Sequence, residues 1–133
     1  IFEEFISNLH TPSCPSLLSR YELDDTLIAA GYLDQSVDAL SSVYFVYDTG
    51  HARLSLGILS ILREIEQTRN LGLKYYYLGY FVSGCDRMAY KTAYFPQERY
   101  SWQDKVWINP HNSAFSDPYP GKIHPFEGWT GLD

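Results

Sequence analysis

The sequence predicts a mixed α/β domain (an α+β arrangement with a mixed sheet) built around a strand–helix–strand unit, and three observations support this fold class. Residues 43–47 form an unbroken run of β-branched and aromatic side chains, which is typical of a strand. Residues 75–82 are apolar or aromatic at every position except Gly79, as expected of a strand covered on both faces. Between these runs, apolar residues recur at helical spacing: Ile58, Ile61, Leu62 and Ile65.

The intervening helix is predicted to turn this apolar stripe towards the sheet and to place Ser60, Glu64 and Gln67 on its other side. Ser55 is the expected N-cap, and Gly72 is the expected C′ residue at which the helix ends. Short links on both sides make this a βαβ unit, whose crossover is expected to be right-handed. We therefore expect the functional site where the two strands of this unit end.

The segments before this unit predict a short helix and a hairpin. Residues 1–9 have the apolar spacing of the end of a helix. Residues 20–23 and 26–33 are predicted to be the two strands of a hairpin, joined by an Asp-Asp turn. A looser connection leads into the strand that begins near Ser41, so three consecutive strands precede the helix.

The segments after the unit are predicted to be shorter. Residues 83–85 indicate a turn, residues 86–93 a short helix, and residues 102–108 a last strand. We expect residues 1–108 to form one domain and residues 109–133 to form an irregular tail packed on it. The tail is expected to pack through three aromatic side chains, Phe115, Phe126 and Trp129.

The charge of the chain limits the partners it can take. A net charge of −6 over 133 residues argues against a general nucleic-acid binder. From Arg53 to Lys105, however, eight Lys or Arg stand against five Asp or Glu, which gives a local charge of +3 and leaves −9 on the remainder. This local excess favours an anionic substrate, and a solvated basic face is the alternative interpretation.

The cysteines and apolar runs indicate a cytoplasmic protein. Cys14 and Cys85 form neither a zinc-ligand spacing nor a disulfide framework, and the four histidines have no metal-ligand spacing, so no metal site is expected. No signal peptide and no apolar run of about 18 residues is present, so no membrane partner is expected. The chain begins at Ile1 rather than Met, and we expect it to be a piece of a longer polypeptide.

The predicted element order is compatible with a GNAT-type N-acyltransferase. In that architecture two neighbouring parallel strands splay apart, the acyl donor lies near the start of the intervening helix, and an amine enters from the other side. Acyl transfer to an amine requires loss of a proton, donors for the carbonyl oxygen and reprotonation of the leaving group. A covalent enzyme nucleophile is not required, and no such signature is present.

Five segments carry a more specific resemblance: residues 40–48, 54–57, 62–66, 75–80 and 85–91. They resemble the C-terminal catalytic region of the arginyl-tRNA–protein transferases and of their bacterial relatives, the aspartate/glutamate leucyltransferases. The hairpin at residues 21–34 also fits, and the similarity extends over residues 3–108.

This resemblance implies a GNAT-like fold and transfer of an amino acid, arginine or leucine, from charged tRNA to the α-amine of proteins that begin with Asp or Glu. It implies aminoacyl-tRNA as co-substrate, no other cofactor, and a role in the N-degron pathway of protein degradation. The chain departs from the family pattern at Thr49-Gly50, Asp86 and Ala89. It also lacks the cysteine-bearing N-terminal domain of the family, which implies a missing domain or partner chain.

Two catalytic residues are predicted. Asp48, at the end of a core strand, is expected to accept a proton from the acceptor amine or orient it, and the alternative is a cap that ends the strand. Tyr90 is expected to hydrogen-bond the acceptor or donate a proton to the leaving hydroxyl, with core packing as its alternative. His51 lies near the same strand end and is a weaker candidate for acid–base chemistry.

Five substrate-binding residues are predicted. Lys91 is expected to bind the acidic side chain of the acceptor, with a solvated lysine as the alternative. Arg63 is a second anion contact, unless it pairs with Glu66 one turn away. The backbone N–H groups of Ser55 and Gly57 are expected to face the donor. Tyr80 is expected to line the cleft, with core packing as its alternative.

Two other functions are compatible with the sequence. The first is an acetyl-CoA-dependent GNAT acetyltransferase, although residues 53–57 make a poor pyrophosphate loop. The second is a non-catalytic module that binds acidic N-termini. Binding to immobilised CoA tests the first, and a comparison of peptide binding with amino-acid transfer tests the second.

Overall fold

The computed structural model describes residues 14–82 and 84–110. The chain divides into two compact units, Ile1–Gly79 and Tyr80–Asp133, and each is described by itself. The predicted N-terminal helix at residues 1–9 and the predicted packing of the tail lie outside the described residues. The prediction of one domain over residues 1–108 stays a prediction.

The first unit contains a four-stranded mixed sheet, which confirms the mixed α/β class. Its strands are β1 (Ser16–Leu23), β2 (Thr26–Gln35), β3 (Ala39–Tyr47) and β4 (Tyr75–Tyr77). They lie in the order β1-β2-β3-β4, with antiparallel pairing except between β3 and β4, which are parallel. The βαβ unit predicted from the sequence is therefore present.

The predicted hairpin is confirmed between β1 and β2. Its two turn residues, Asp24 and Asp25, have φ values of 48° and 60°. Positive φ at both central positions matches the right-handed twist of the two flanking strands, and Asp adopts this conformation more readily than most residues. The turn closes directly on the Leu23–Thr26 pair.

The prediction that residues 75–82 form one covered strand is wrong in length and in burial. Strand β4 ends at Tyr77, after three residues. Gly79 has a φ of 76°, a left-handed conformation that no strand continues through. Tyr75 and Tyr77 are also exposed rather than covered on both faces.

Helix α1 (Leu56–Asn70) follows a short 3₁₀ segment (Thr49–Leu54). The prediction that Gly72 ends the helix is confirmed, since its φ is 69°. The N–H groups of Gly72 and Leu73 donate to the carbonyls of Arg69 and Thr68, at 3.0 Å in both cases, which is a Schellman motif. Ser55 does occupy the cap position at the other end, but its side chain makes no capping hydrogen bond.

The predicted inner face of α1 is confirmed at Ile61, which is buried, and is wrong at Ile58 and Leu62, which are exposed. The buried helix residues follow a spacing of four along one face, with one apolar addition: Leu56, Ser60, Ile61, Glu64 and Thr68. The Ser60 and Thr68 hydroxyls donate to the carbonyls of Gly57 (2.9 Å) and Glu64 (2.7 Å) within the helix. Hydroxyls satisfied in this way are buried at little cost, so a polar row faces inward while Ile58 and Leu62 are exposed.

The core of the first unit lies between this helix and the sheet. Leu56 of α1 clusters with Ile28 and Ala29 of β2, and the rings of Tyr21 and Phe45 pack against that cluster. The two rings meet edge to face with their centroids 5.7 Å apart. This packing fixes the start of α1 against β2.

The second unit has a 3₁₀ helix (Asp86–Ala93) and a hairpin of β5 (Arg99–Ser101) and β6 (Val106–Ile108). The short helix is thus confirmed over the predicted residues. The predicted strand at 102–108 is wrong in its first half, because residues 102–105 form the turn of the hairpin. No helix in the part of the chain that the structure describes is long and apolar enough to cross a membrane.

Candidate active site at the diverging strands

The two parallel strands of the βαβ unit separate early. Strand β3 pairs with β4 only from Ala39–Tyr75 to Ser41–Tyr77, whereas it stays paired with β2 as far as Tyr47. The carboxyl half of β3 therefore continues without its parallel neighbour. Ligands of open α/β sheets bind beyond the carboxyl ends of strands at such points. The sequence predicted a site where the two strands end, and β4 leaves β3 after only three paired residues.

The polar group closest to this strand end is a pair formed by Asp48 and His51. Asp48 directly follows β3, and its Oδ1 accepts the N–H of Gly50 at 2.9 Å. Its Oδ2 lies 3.0 Å from Nδ1 of His51. The backbone N–H of His51 also donates to the carbonyl of Asp48, at 3.0 Å. The 3₁₀ segment thus folds the imidazole back onto the carboxylate.

These contacts keep Asp48 ionised. The backbone hydrogen bond from Gly50, and next the hydrogen bond from His51, lower the pKa of the Asp48 carboxyl. A carboxylate that already accepts two hydrogen bonds is a weak proton acceptor. Asp48 is therefore suited to orienting a neighbouring group.

The start of helix α1 presents the backbone donors of Leu56 and Gly57, whereas the N–H of Ser55 already donates to the carbonyl of Ala52 at 3.2 Å. Ser55 adopts a left-handed conformation (φ 50°), and its carbonyl accepts the N–H groups of Ile58 (2.9 Å) and Leu59 (3.1 Å). The earlier amides of the helix have no acceptor within the helix. A Cβ added at Gly57 would meet nothing within 4 Å, so space is open at this position. The predicted donor-binding role of Ser55 and Gly57 stays a prediction.

Arg63 makes the contact named as its alternative. Its Nη1 donates to Oε2 of Glu66 at 2.8 Å, one helical turn away, and both side chains are well exposed. Exposed pairs of this kind contribute at most about 1 kcal/mol, so the guanidinium remains available to an anion that binds more strongly. Its role as an anion contact stays a prediction.

Glu64 is a buried polar residue between α1 and the sheet that sequence reasoning missed. It is 2% exposed, and its Oε2 accepts the hydroxyl of Tyr76 from β4 at 2.6 Å. Its Oε1 is buried without a hydrogen-bond partner among the described residues. Burial raises the pKa of this carboxyl, and the hydroxyls of Tyr76 and Ser42 lower it by smaller amounts. The signal in the sequence was the spacing of four that Glu64 shares with Leu56.

The second unit holds the other three predicted residues. Lys91 donates from Nζ to the carbonyl of Tyr80 at 2.7 Å, and partial burial lowers the pKa of its ammonium group. The Tyr80 side chain is 76% exposed, and Tyr90 is also exposed, so neither ring packs as a core residue. The structure thus brings Lys91 and Tyr80 together through the backbone. Their roles and that of Tyr90 stay predictions.

The sheet and helix α1 define a mixed α/β domain. The pair formed by Asp48 and His51 is a polar site beyond the carboxyl end of β3 in its βαβ unit. Residues 1–101 match the family described as arginine-tRNA-protein transferase, C terminus. The chain belongs to this family.

The relatives cover both branches of the family. An aspartate/glutamate leucyltransferase of Chromobacterium violaceum is 44% identical over 81 residues, which is 61% of this chain and 34% of the relative. Arginyl-tRNA–protein transferase 2 of Arabidopsis thaliana is 43% identical over 97 residues, covering 65% of this chain and 16% of the relative. An aspartate/glutamate leucyltransferase of Gluconobacter oxydans is 41% identical over 106 residues, covering 80% of this chain and 42% of the relative. The chain thus spans less than half the length of these curated relatives.

Proposed function

We propose that this chain carries the catalytic region of an aminoacyl-tRNA–protein transferase. The reaction moves an amino acid, arginine or leucine, from charged tRNA to the N-terminal α-amine of a protein beginning with Asp or Glu. The observation that carries the proposal is the family match over residues 1–101. The early divergence of β3 and β4 supports it, since a GNAT-type acyltransferase has two neighbouring parallel strands that splay apart.

The first unit supplies the donor side and the proton chemistry in this proposal. The ester of the aminoacyl-tRNA is already activated, so the transfer uses no other cofactor. Helix-start amides near Ser55 and Gly57 donate to the ester carbonyl as negative charge develops on its oxygen. Asp48, immediately beyond β3, assists the deprotonation of the incoming amine.

The second unit supplies acceptor recognition in this proposal. Lys91 and the exposed ring of Tyr80 bind the Asp or Glu side chain at the acceptor N-terminus. Arg63 of the first unit is a further anion contact. Tyr90 hydrogen-bonds the acidic side chain of the acceptor. The partial burial of Lys91 supports this assignment, because an ion pair is stronger where water is partly excluded. The product enters the N-degron pathway in the cytoplasm.

A transfer assay tests the proposal. The 133-residue chain is incubated with tRNA carrying radiolabelled arginine or leucine and with two peptides that differ only in starting with Asp or Ala. We expect label on the Asp peptide and little on the Ala peptide. Binding of the Asp peptide without transfer would instead show a binding module. If neither peptide is labelled from either tRNA, the proposed transferase function is wrong.

Lys91→Glu tests acceptor recognition. We expect it to lower kcat/KM for the Asp peptide by about 100-fold or more, because it replaces attraction by repulsion in a partly desolvated site. Arg20→Glu makes the same change of net charge at an exposed residue outside the site and serves as the control. Retained activity of Lys91→Glu with an unchanged melting curve would remove Lys91 from the site.

A further inference from the structure

The pairing of His51 with Asp48 assigns the proton chemistry to the imidazole. We propose that His51 is the general base of the transfer and that Asp48 is its positioning residue. The inference rests on the proposed function and deepens it. It changes the expected role of Asp48 from proton acceptor to orienting group.

The carboxylate of Asp48 is occupied at both oxygens. Oδ1 accepts the Gly50 N–H at 2.9 Å, and Oδ2 contacts Nδ1 of His51 at 3.0 Å. An ionised carboxylate accepts hydrogen bonds but has none to donate, so the contact with His51 requires a proton on Nδ1. The neutral imidazole consequently carries its basic lone pair on Nε2.

His51 is held by one backbone and one side-chain hydrogen bond, and its imidazole remains accessible. Its backbone N–H is bound to the carbonyl of Asp48 and its Nδ1 to the carboxylate of the same residue. The side chain is 34% exposed, so a substrate can reach it. His51 has φ −105° and ψ 19°, where the 3₁₀ segment is interrupted between two turns. This bridge conformation is sparsely populated and is common among active-site residues.

The proposed step balances in protons and bonds. The acceptor enters as the neutral α-amine, and its nitrogen attacks the ester carbonyl carbon of the aminoacyl-tRNA to form a C–N bond. Nε2 of His51 takes one proton from that nitrogen. The C–O bond to the terminal ribose then breaks, and the imidazolium returns the proton to the ribose oxygen. The products are the extended peptide amide and the free ribose hydroxyl of the tRNA.

The tautomer of His51 tests the geometry without any activity measurement. In the uniformly ¹⁵N-labelled chain, long-range ¹H–¹⁵N spectra distinguish the two neutral forms of each imidazole, and His51→Gln identifies the His51 signals. We expect the neutral His51 to carry its proton on Nδ1 and this preference to weaken in Asp48→Ala. A predominant proton on Nε2 in the wild-type chain would overturn the proposal.

Chemical rescue tests the catalytic role. We expect His51→Ala to lower kcat by about 10²- to 10⁴-fold, the usual contribution of a general base, and added imidazole to restore part of it. Asp48→Asn should also lower kcat, but added imidazole should not restore it. This variant still contains the His51 imidazole, which is then wrongly oriented. Glu22→Gln, which breaks another exposed short-range ion pair, is the control.

The outcomes separate this proposal from the one on which it rests. An inactive wild-type chain would overturn the proposed function. An active wild-type chain together with an equally active His51→Ala would overturn only the role of His51. A loss of kcat in His51→Ala that imidazole does not restore, in a variant that melts normally, would also count against a base at this position.

Discussion

At Glu64, burial and charge act against each other within one side chain. The carboxyl is almost completely buried, with the Tyr76 hydroxyl on one oxygen and nothing described on the other. Burial raises the pKa of Glu64 from its usual value of 4.5. The folded state therefore holds this proton to a higher pH than the unfolded state does. The contribution of Glu64 to stability is fully present below the usual value and is lost as the pH rises through the folded pKa.

Glu64→Gln removes this titration and keeps an acceptor for Tyr76. We expect the free energy of unfolding to decline less steeply with rising pH in the variant than in the wild-type chain, over the range just above pH 4.5. Urea denaturation at a series of pH values measures it. Glu66→Gln is the matched control, because Glu66 is exposed on the same helix. Identical pH slopes in Glu64→Gln and the wild type would show that Glu64 does not titrate abnormally.

Gly31 of β2 lies against Ser19 of β1 and Glu64 of helix α1. A Cβ added there would lie 2.5 Å from Oγ of Ser19 and 3.3 Å from Oε1 of Glu64. We expect Gly31→Ala to lower the free energy of unfolding by about 1–3 kcal/mol through overpacking. Ser19→Ala removes the closer atom, so the double variant should recover part of the loss. Additive effects of the two substitutions would show that the clash is not with Ser19.

At the scale of the elements, sequence reasoning found where helix α1 ends but not how it faces. Gly72 was predictable because a left-handed C′ position favours one residue type. The face was not predictable, because apolar and polar residues both recur at helical spacing here. The polar row wins since the Ser60 and Thr68 hydroxyls bond to carbonyls of the helix itself. The length of β4 was overestimated, because the apolar and aromatic residues continue on both sides of the turn at Gly79.

The two glycines at the ends of α1 should respond in opposite directions to alanine. Gly72→Ala places a Cβ in a left-handed conformation and should lower the free energy of unfolding by about 1–2 kcal/mol. Gly57→Ala lies in the first turn with open space around the new atom and should raise it by up to about 1 kcal/mol. Urea denaturation followed by circular dichroism at 222 nm measures both. A loss of stability in Gly57→Ala would contradict the open geometry at the helix start.

At the scale of the whole molecule, the sequence predicts which residues form the candidate site but not which groups they contact. Asp48 and Lys91 follow from the order of strands and from the family motifs. The contacts between Asp48 and His51 and between Lys91 and the Tyr80 carbonyl depend on how short irregular segments fold back. Neither spacing is a recognised motif, so the sequence indicates His51 only as a weaker candidate for acid–base chemistry.

The proposed function requires this chain to bind tRNA although its net charge is −6. We therefore expect the tRNA phosphates to contact the basic stretch between Arg53 and Lys105. Three of its eight cations are engaged with Glu66, the Tyr80 carbonyl or the Phe81 ring. In the described part of the chain, the other five are exposed and form no ion pair: Arg53, Arg69, Lys74, Arg87 and Lys105.

Five phosphate contacts limit the salt dependence that tRNA binding can show. Each contact adds about 0.7–0.9 to the slope of log K against log salt, so we expect a negative slope no steeper than about −4.5. Fluorescence titration of labelled tRNA over a range of salt concentrations measures it. Arg53→Gln should reduce the slope by about 1, whereas Arg20→Gln, at a cation already paired with Glu22, should leave it unchanged. A slope near zero would show that tRNA does not bind through this basic stretch, and a much steeper one would require cations beyond the five.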